Sequence, residues 1–125
     1  MVALISPREM LKEILTELNR SAGIYASAIV SRDGLLMASA MPEDVDAEAF
    51  AAMTATMVGA AETAFSELKR GVAERVIVEG THGKIIAIGA GKDAILVGMA
   101  DPKAMLGLIL HHMGKAVEKV KKVLA

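Results

Sequence analysis

The sequence predicts a single α/β domain over residues 1–125, of the α+β kind: an α/β/α sandwich around a five-stranded antiparallel sheet. Three observations lead there. Cap and turn signals divide the chain in the order α-β-β-α-β-β-β-α. The links between consecutive strands are short, which suits antiparallel hairpins. Runs such as Ile85-Ile86-Ala87-Ile88 and Ile95-Leu96-Val97 are apolar at every position, as strands covered on both faces are. Three helices can supply that cover by dividing between the two sides.

Ser6-Pro7-Arg8-Glu9 opens the first helix, with Ser6 as cap, Pro7 at the first helical position and Glu9 positioned for a capping box. Met10, Ile14, Leu15 and Leu18 then recur at helical spacing, and Gly23 is the expected stop. Ile24–Ser31 is short, apolar and without helical period, so it reads as a strand. Arg32-Asp33-Gly34 is a hairpin turn, and Leu35–Ala40 returns as the second strand. The polar link from Met41 ends at Asp46, a cap for a second helix from about Ala47 to Arg70, with Gly71 at its end. Three further strands, Arg75–Glu79, Lys84–Ala90 and Ala94–Met99, are separated by Gly80-Thr81-His82-Gly83 and Gly91-Lys92-Asp93. Asp101 and Pro102 are expected to open the last helix, whose apolar face runs through Leu106, Ile109, Met113, Val117, Val120 and Leu124.

Composition narrows the function. The chain is 54% hydrophobic with nine Met, but it has two Phe, one Tyr and no Trp, so it offers few platforms for stacking bases. Its formal net charge of -1 supplies no positive field for nucleic acid or an anionic membrane. No cysteine is present, which excludes disulfides, thiolate metal sites and a cysteine nucleophile. No apolar run approaches the roughly 18–20 residues that span a bilayer. Met1 to Glu13 mixes charges into its apolar positions and does not read as a secretory signal. The expectation is a soluble, cytoplasmic protein with no membrane insertion and no nucleic-acid partner.

The second helix is the informative element. Phe50, Thr54, Met57, Ala61, Ala64 and Leu68 form a wide apolar stripe expected to pack on the sheet. The opposite side carries Ala52, Ala55, Thr56, Gly59 and Thr63, all small and uncharged. Small residues at spacings of three and four let a second backbone approach, so this side reads as a helix-helix seam with a second copy about a two-fold axis. An alanine-rich exposed helix is the other reading, since Ala has the best helix propensity.

Catalytic machinery is not evident. His82, His111 and His112 lack a carboxylate or third ligand at metal-site spacing, and no cofactor motif is present. Gly89-Ala90-Gly91-Lys92-Asp93 misses a phosphate-binding loop at the first Gly, at the residue after Lys, and in lying between two strands. Glu43, Asp44 and Asp46 suit a helix N-terminus, and Lys115, Lys119, Lys121 and Lys122 suit a helix C-terminus, where the lysines could also serve an acidic partner.

Three segments together resemble the Roadblock family, the dynein light-chain Roadblock type. They are Gly23 to Ser39 with its Ser31-Arg32-Asp33-Gly34 turn, Arg75-Val76-Ile77-Val78-Glu79-Gly80 through Gly83-Lys84-Ile85-Ile86-Ala87-Ile88, and Ala94-Ile95-Leu96-Val97-Gly98-Met99. The resemblance spans about Pro7 to Val123 and implies a profilin-like fold. It also implies homo- or heterodimers in which second helices pack together and third strands pair edge to edge, which adds Arg75, Val76, Ile77 and Val78 to the interface. It further implies a regulator or scaffold of a small Ras-like GTPase, closest to the prokaryotic regulator branch, with no enzyme activity and no cofactor of its own. Arg32, on the first turn, is the only arginine placed to act on a bound GTPase's phosphates, and a plain turn residue is the simpler reading. Two alternatives remain: a small-molecule sensor, which needs a cavity with convergent polar groups, and a general dimerisation module without a GTPase client.

Overall fold

A computed structural model describes residues 5–125. The part of the N-terminal reading that falls on Met1 to Leu4 lies outside the described residues. The element order matches the sequence reading: α1 (Pro7–Leu18), β1 (Ile24–Ser31), β2 (Leu36–Ala40), α2 (Ala47–Glu67), β3 (Arg75–Glu79), β4 (Lys84–Gly89), β5 (Ala94–Ala100) and α3 (Leu106–Leu124). Strand limits differ by a residue: Leu35 stays in the first turn, β4 stops at Gly89, and β5 runs on to Ala100.

Two helices start where their caps dictate. The Ser6 hydroxyl accepts from the Glu9 N–H at 3.2 Å, and an Asp46 carboxylate oxygen accepts from the Ala49 N–H at 3.1 Å. The third does not start at Asp101 and Pro102. An Asp-Pro pair equally suits the first two positions of a β-turn. Here the Asp101 carbonyl accepts from Ala104 N–H at 3.0 Å, while Asp101 N–H donates to the Gly23 carbonyl. α3 therefore begins at Leu106, with Met105 at the cap position and no side chain closing its first turn. α2 ends at Glu67, short of Arg70, because Lys69 already adopts the left-handed region (φ 55°) before Gly71 does (φ 81°).

The sheet order is β2-β1-β5-β4-β3, with every pair antiparallel. β1 and β5 meet at the centre although far apart in sequence, and α2 leaves one edge strand and delivers the chain to the other. α1 and α3 cover one face, burying Leu15, Ile29, Ile86, Leu96, Ile109, Met113 and Val120. On the opposite face Phe50, Ala51 and Val58 of α2 meet Ala28, Val30, Ala87, Ile95 and Val97. The apolar character of the strands on both sides follows from this double cover. Thr54 of α2 is buried in the same layer, and its hydroxyl has no hydrogen-bond partner among the described residues.

The β2 edge is tied to α1. The Lys12 ammonium donates to the Ser39 carbonyl, and the Asn19 side-chain amide donates to the Ala40 carbonyl at 2.8 Å. Asn19 Oδ1 in turn accepts from the buried Ser27 hydroxyl at 2.7 Å. The β3 edge has no such attachments among the described residues.

Candidate protein interface

β3 pairs with β4 along one side, from Arg75 opposite Ile88 to Glu79 opposite Lys84. Its other side faces outward with its backbone groups unpaired among the described residues, and only Val76 of its five residues is as much as half-buried. A bare edge of β-branched residues is a template for another strand. Arg75-Val76-Ile77-Val78-Glu79 is also symmetric about Ile77 in its apolar residues and opposite in charge at its two ends.

Beside this edge α2 runs past the sheet. Phe50, Thr54, Val58, Ala61, Phe65 and Leu68 follow one another at spacings of four and three, so they share one side of the helix. The first three pack on the sheet, but from Thr63 to Arg70 every residue is exposed. Phe65 is 42% and Leu68 68% exposed, although both continue the sheet-facing stripe. This corrects the expectation that the stripe through Ala64 and Leu68 packs on the sheet of its own chain: helical period tells which side of a helix is apolar, not where the sheet beneath it stops.

The proposed seam residues fall into two groups. Ala52 and Ala55 lie against the β1–β2 turn, where a Cβ on Gly34 would meet Ala52 Cα at 3.5 Å and Ala55 Cβ at 3.7 Å. Ala52 is nonetheless exposed and Ala55 half-buried. Thr56 and Thr63 are exposed and Gly59 is half-buried; a Cβ on Gly59 would meet nothing within 4 Å. Met53, 61% exposed on the same helix, together with Phe65 and Leu68, extends this surface in a way the sequence reading did not anticipate.

A third apolar region lies on the α2 side of the sheet, below the helix. Val78 pairs with Ile85 and Ile85 with Met99, so the three form one row across β3, β4 and β5. With Tyr25 they line a shallow depression of about 240 Å³, rimmed by Gly80, Gly83 and Lys84. α2 passes over the row above it (Val76, Ala87, Val97) and covers this one only in part: Ile85 and Met99 are half-buried against the α2 cluster, while Val78 and Tyr25 are exposed.

The remaining candidates resolve into structural parts. Arg32 is held in place: Nη1 donates to Glu62 at 2.7 Å, Nε to the Lys92 carbonyl at 3.0 Å and Nη2 to the Gly91 carbonyl at 3.3 Å. A guanidinium so occupied is a clasp between the first turn, α2 and the β4–β5 turn, not a free finger. Gly89 to Asp93 is that β4–β5 hairpin, with Gly91 at φ 90°. His111 and His112 meet edge to face at 5.3 Å, and no group of three or more His, Asp or Glu among the described residues could hold a metal ion. Lys119 lies 3.7 Å from Glu17 and Lys121 3.7 Å from Glu118, so two of the α3 lysines have partners inside the chain. No helix among the described residues is long and apolar enough to cross a membrane.

Three helices dividing over the two faces of a five-stranded antiparallel sheet define a profilin-like domain. Profilin IA of Acanthamoeba castellanii shares this fold with a TM-score of 0.64 at 15% identity, over 94% of this chain and 98% of profilin. Within that class the chain belongs to the Roadblock/LC7 domain family, which it matches over residues 10–100. Among relatives in sequence, uncharacterized protein MJ1340 of Methanocaldococcus jannaschii is 44% identical over 112 residues, 90% of this chain and 97% of its own length. Among solved structures, Myxococcus xanthus MglB superposes with a TM-score of 0.89 at 21% identity, covering 99% of this chain and 94% of MglB. A structure of MglB with a tetrameric arrangement gives 0.87 at 23% identity, covering 98% and 93%.

Proposed function

We propose that this chain, as one Roadblock-type domain over residues 1–125, is a homodimeric platform that regulates or scaffolds a small Ras-like GTPase and performs no chemistry itself. The observation that carries this reading is the bare β3 edge. Antiparallel pairing of two copies centred on Ile77 sets Arg75 of each against Glu79 of the other, while a parallel arrangement would set like charges together. A two-fold axis there makes the interface isologous and brings the two α2 helices to the same face of one ten-stranded sheet, with Thr56, Gly59 and Thr63 available to the seam. The tetrameric arrangement of MglB supports a tendency to self-association in this fold.

The GTPase client rests on the family resemblance. With Arg32 bound to Glu62, regulation would act by positioning the GTPase's own groups. Another Roadblock chain as partner, in place of a second copy, keeps the same edge in use. A cytoplasmic setting accords with a GTPase client.

Two measurements test the proposal. Sedimentation of the purified protein should give a dimer, and a monomer at all concentrations would remove the edge argument. Capture from native lysate loaded with a non-hydrolysable GTP analogue, compared with GDP, should recover a small GTPase in one nucleotide state. Recovery of Roadblock chains alone in both states would leave a dimerisation module without this client.

A further inference from the structure

We propose that the trough between α1 and α3, on the face of the sheet turned away from α2, binds an acidic amphipathic helix of a partner protein. Carboxylates of that helix meet Lys115 and Lys119, and an apolar side chain beside them rests on the floor of the trough. This reading needs neither the β3 pairing nor the GTPase client proposed above, and it leaves the surfaces of both unobstructed.

The trough holds about 270 Å³. Half-buried Ile14 with buried Leu18 and Ala116 makes its apolar floor, and the exposed Lys115, Lys119 and Glu17 stand along it. Charge is unevenly spread over the molecule. α3 holds Lys115, Lys119, Lys121 and Lys122 against Glu118 alone, which is +3 in a chain of net -1, so everything else sums to -4. The helix dipole explains only half of these lysines. Its pull falls off within the last turn, where Lys121 and Lys122 stand. Lys115 lies about 13 Å before the end of the helix and Lys119 more than a turn before it.

Lys115 makes no ion pair among the described residues. Lys119 has Glu17 at 3.7 Å, with side chains 55% and 73% exposed. A contact so open to water holds little, and an incoming group displaces it at small cost. It also displays the chemistry the trough takes, because Glu17 sets a carboxylate against Lys119 where a partner's would go. Spacing then defines the partner. Lys115 and Lys119 are one turn apart, about 6 Å along α3. A helix lying beside α3 presents carboxylates four residues apart at the same pitch, with apolar residues on the neighbouring stripe turned to Ile14 and Leu18. The lysine stems lengthen the apolar wall while their ammonium groups stay in water.

The test titrates the isotope-labelled full chain with a synthetic helical peptide whose leucines run along one side, flanked by glutamates one turn apart. A second peptide has the same composition in scrambled order. Amide shifts should be confined to the trough, at Ile14, Leu18, Lys115, Ala116 and Lys119, and binding should weaken with added salt. The scrambled peptide should bind about tenfold more weakly. Lys115→Glu combined with Lys119→Glu should raise the Kd about tenfold, with an unchanged melting midpoint because both side chains are exposed. Glu17→Gln removes the resident carboxylate and should tighten binding about threefold, a gain that a purely structural Glu17–Lys119 pair does not predict. Sedimentation of the charge-reversed variant should match the wild type, which separates failure of this site from failure of the β3-paired dimer. Equal affinity for the two peptides, shifts on α2 or β3 in place of the trough, or an unchanged Kd after charge reversal overturns the proposal. Tighter binding of the same residues to phosphatidylserine vesicles or to inorganic phosphate also overturns it, since the site would then serve phosphate groups and not a helix.

Discussion

Each face of the sheet carries apolar side chains, yet the two are closed to different degrees. Behind it, α1 and α3 seal Leu15, Leu96, Ile109 and Val120 from water. In front, α2 alone buries the rows through Ala87, Val97 and Ile95, then departs over the β3 edge and leaves Tyr25 and Val78 open. The open face has more apolar material than one helix can cover, which is the signature of a surface completed by association. The better-sealed side and the side proposed for assembly are thus opposite faces of five shared strands.

The division can be broken from either side. The largest effect belongs to the closed face: Leu96→Ala should cost about 3 kcal/mol of folding stability by urea denaturation, since the site is fully buried among side chains that cannot collapse around the gap. A loss under about 1 kcal/mol would show that α1 and α3 do not hold the core as described. Next comes Gly59→Arg on α2. Nothing in its own chain opposes the new side chain, and Arg is the better helix former, so the monomer should melt no lower. The dimer Kd, measured by sedimentation, should nonetheless rise about a hundredfold, some 2.7 kcal/mol; an unchanged dimer would move the helix seam to another side of α2.

Two smaller effects sharpen the comparison. Thr54→Val removes a buried hydroxyl that has no partner and should stabilise the chain by about 1 kcal/mol in thermal melts. Destabilisation would mean that this hydroxyl is satisfied in solution, by water or a backbone carbonyl. Finally, a double-mutant cycle with Arg32→Met and Glu62→Gln should give a coupling of only about 0.5 kcal/mol, falling with added salt, because both side chains are about a third exposed. A coupling several times larger would identify the clasp as a principal support of α2 on the sheet.

Most of the architecture was legible from sequence because its signals are local. Ser6 and Asp46 cap as expected, the Gly34 and Gly91 turns make hairpins, and strands such as Ile85–Ile88 are apolar throughout because helices lie on both sides. Errors arose where one signal serves two structures or where the deciding quantity is not local. Asp101-Pro102 reads identically as a helix start and as a turn, and only the Gly23 backbone bond to Asp101 N–H distinguishes them. The proposed interface residues differ in their surroundings. Thr63 is exposed and Gly59 half-buried with open space beside it, while Ala52 and Ala55 lie against the Gly34 turn. Phe65 and Leu68 look like core residues in any helical projection; their exposure depends on the width of a sheet whose strand order joins β1 to β5, seventy residues apart.

The attachment of α1 to β2 has a consequence for how far assembly can go. Lys12 and Asn19 occupy carbonyls of Ser39 and Ala40, so one margin of the sheet is already engaged. Among the described residues β3 is the margin left without such attachments, and two molecules that joined through it, as proposed, would use up both. Edge-to-edge growth of the proposed dimer would therefore terminate at a pair. With both margins bare, the same strands could propagate into a filament, each added copy offering a fresh end to the next.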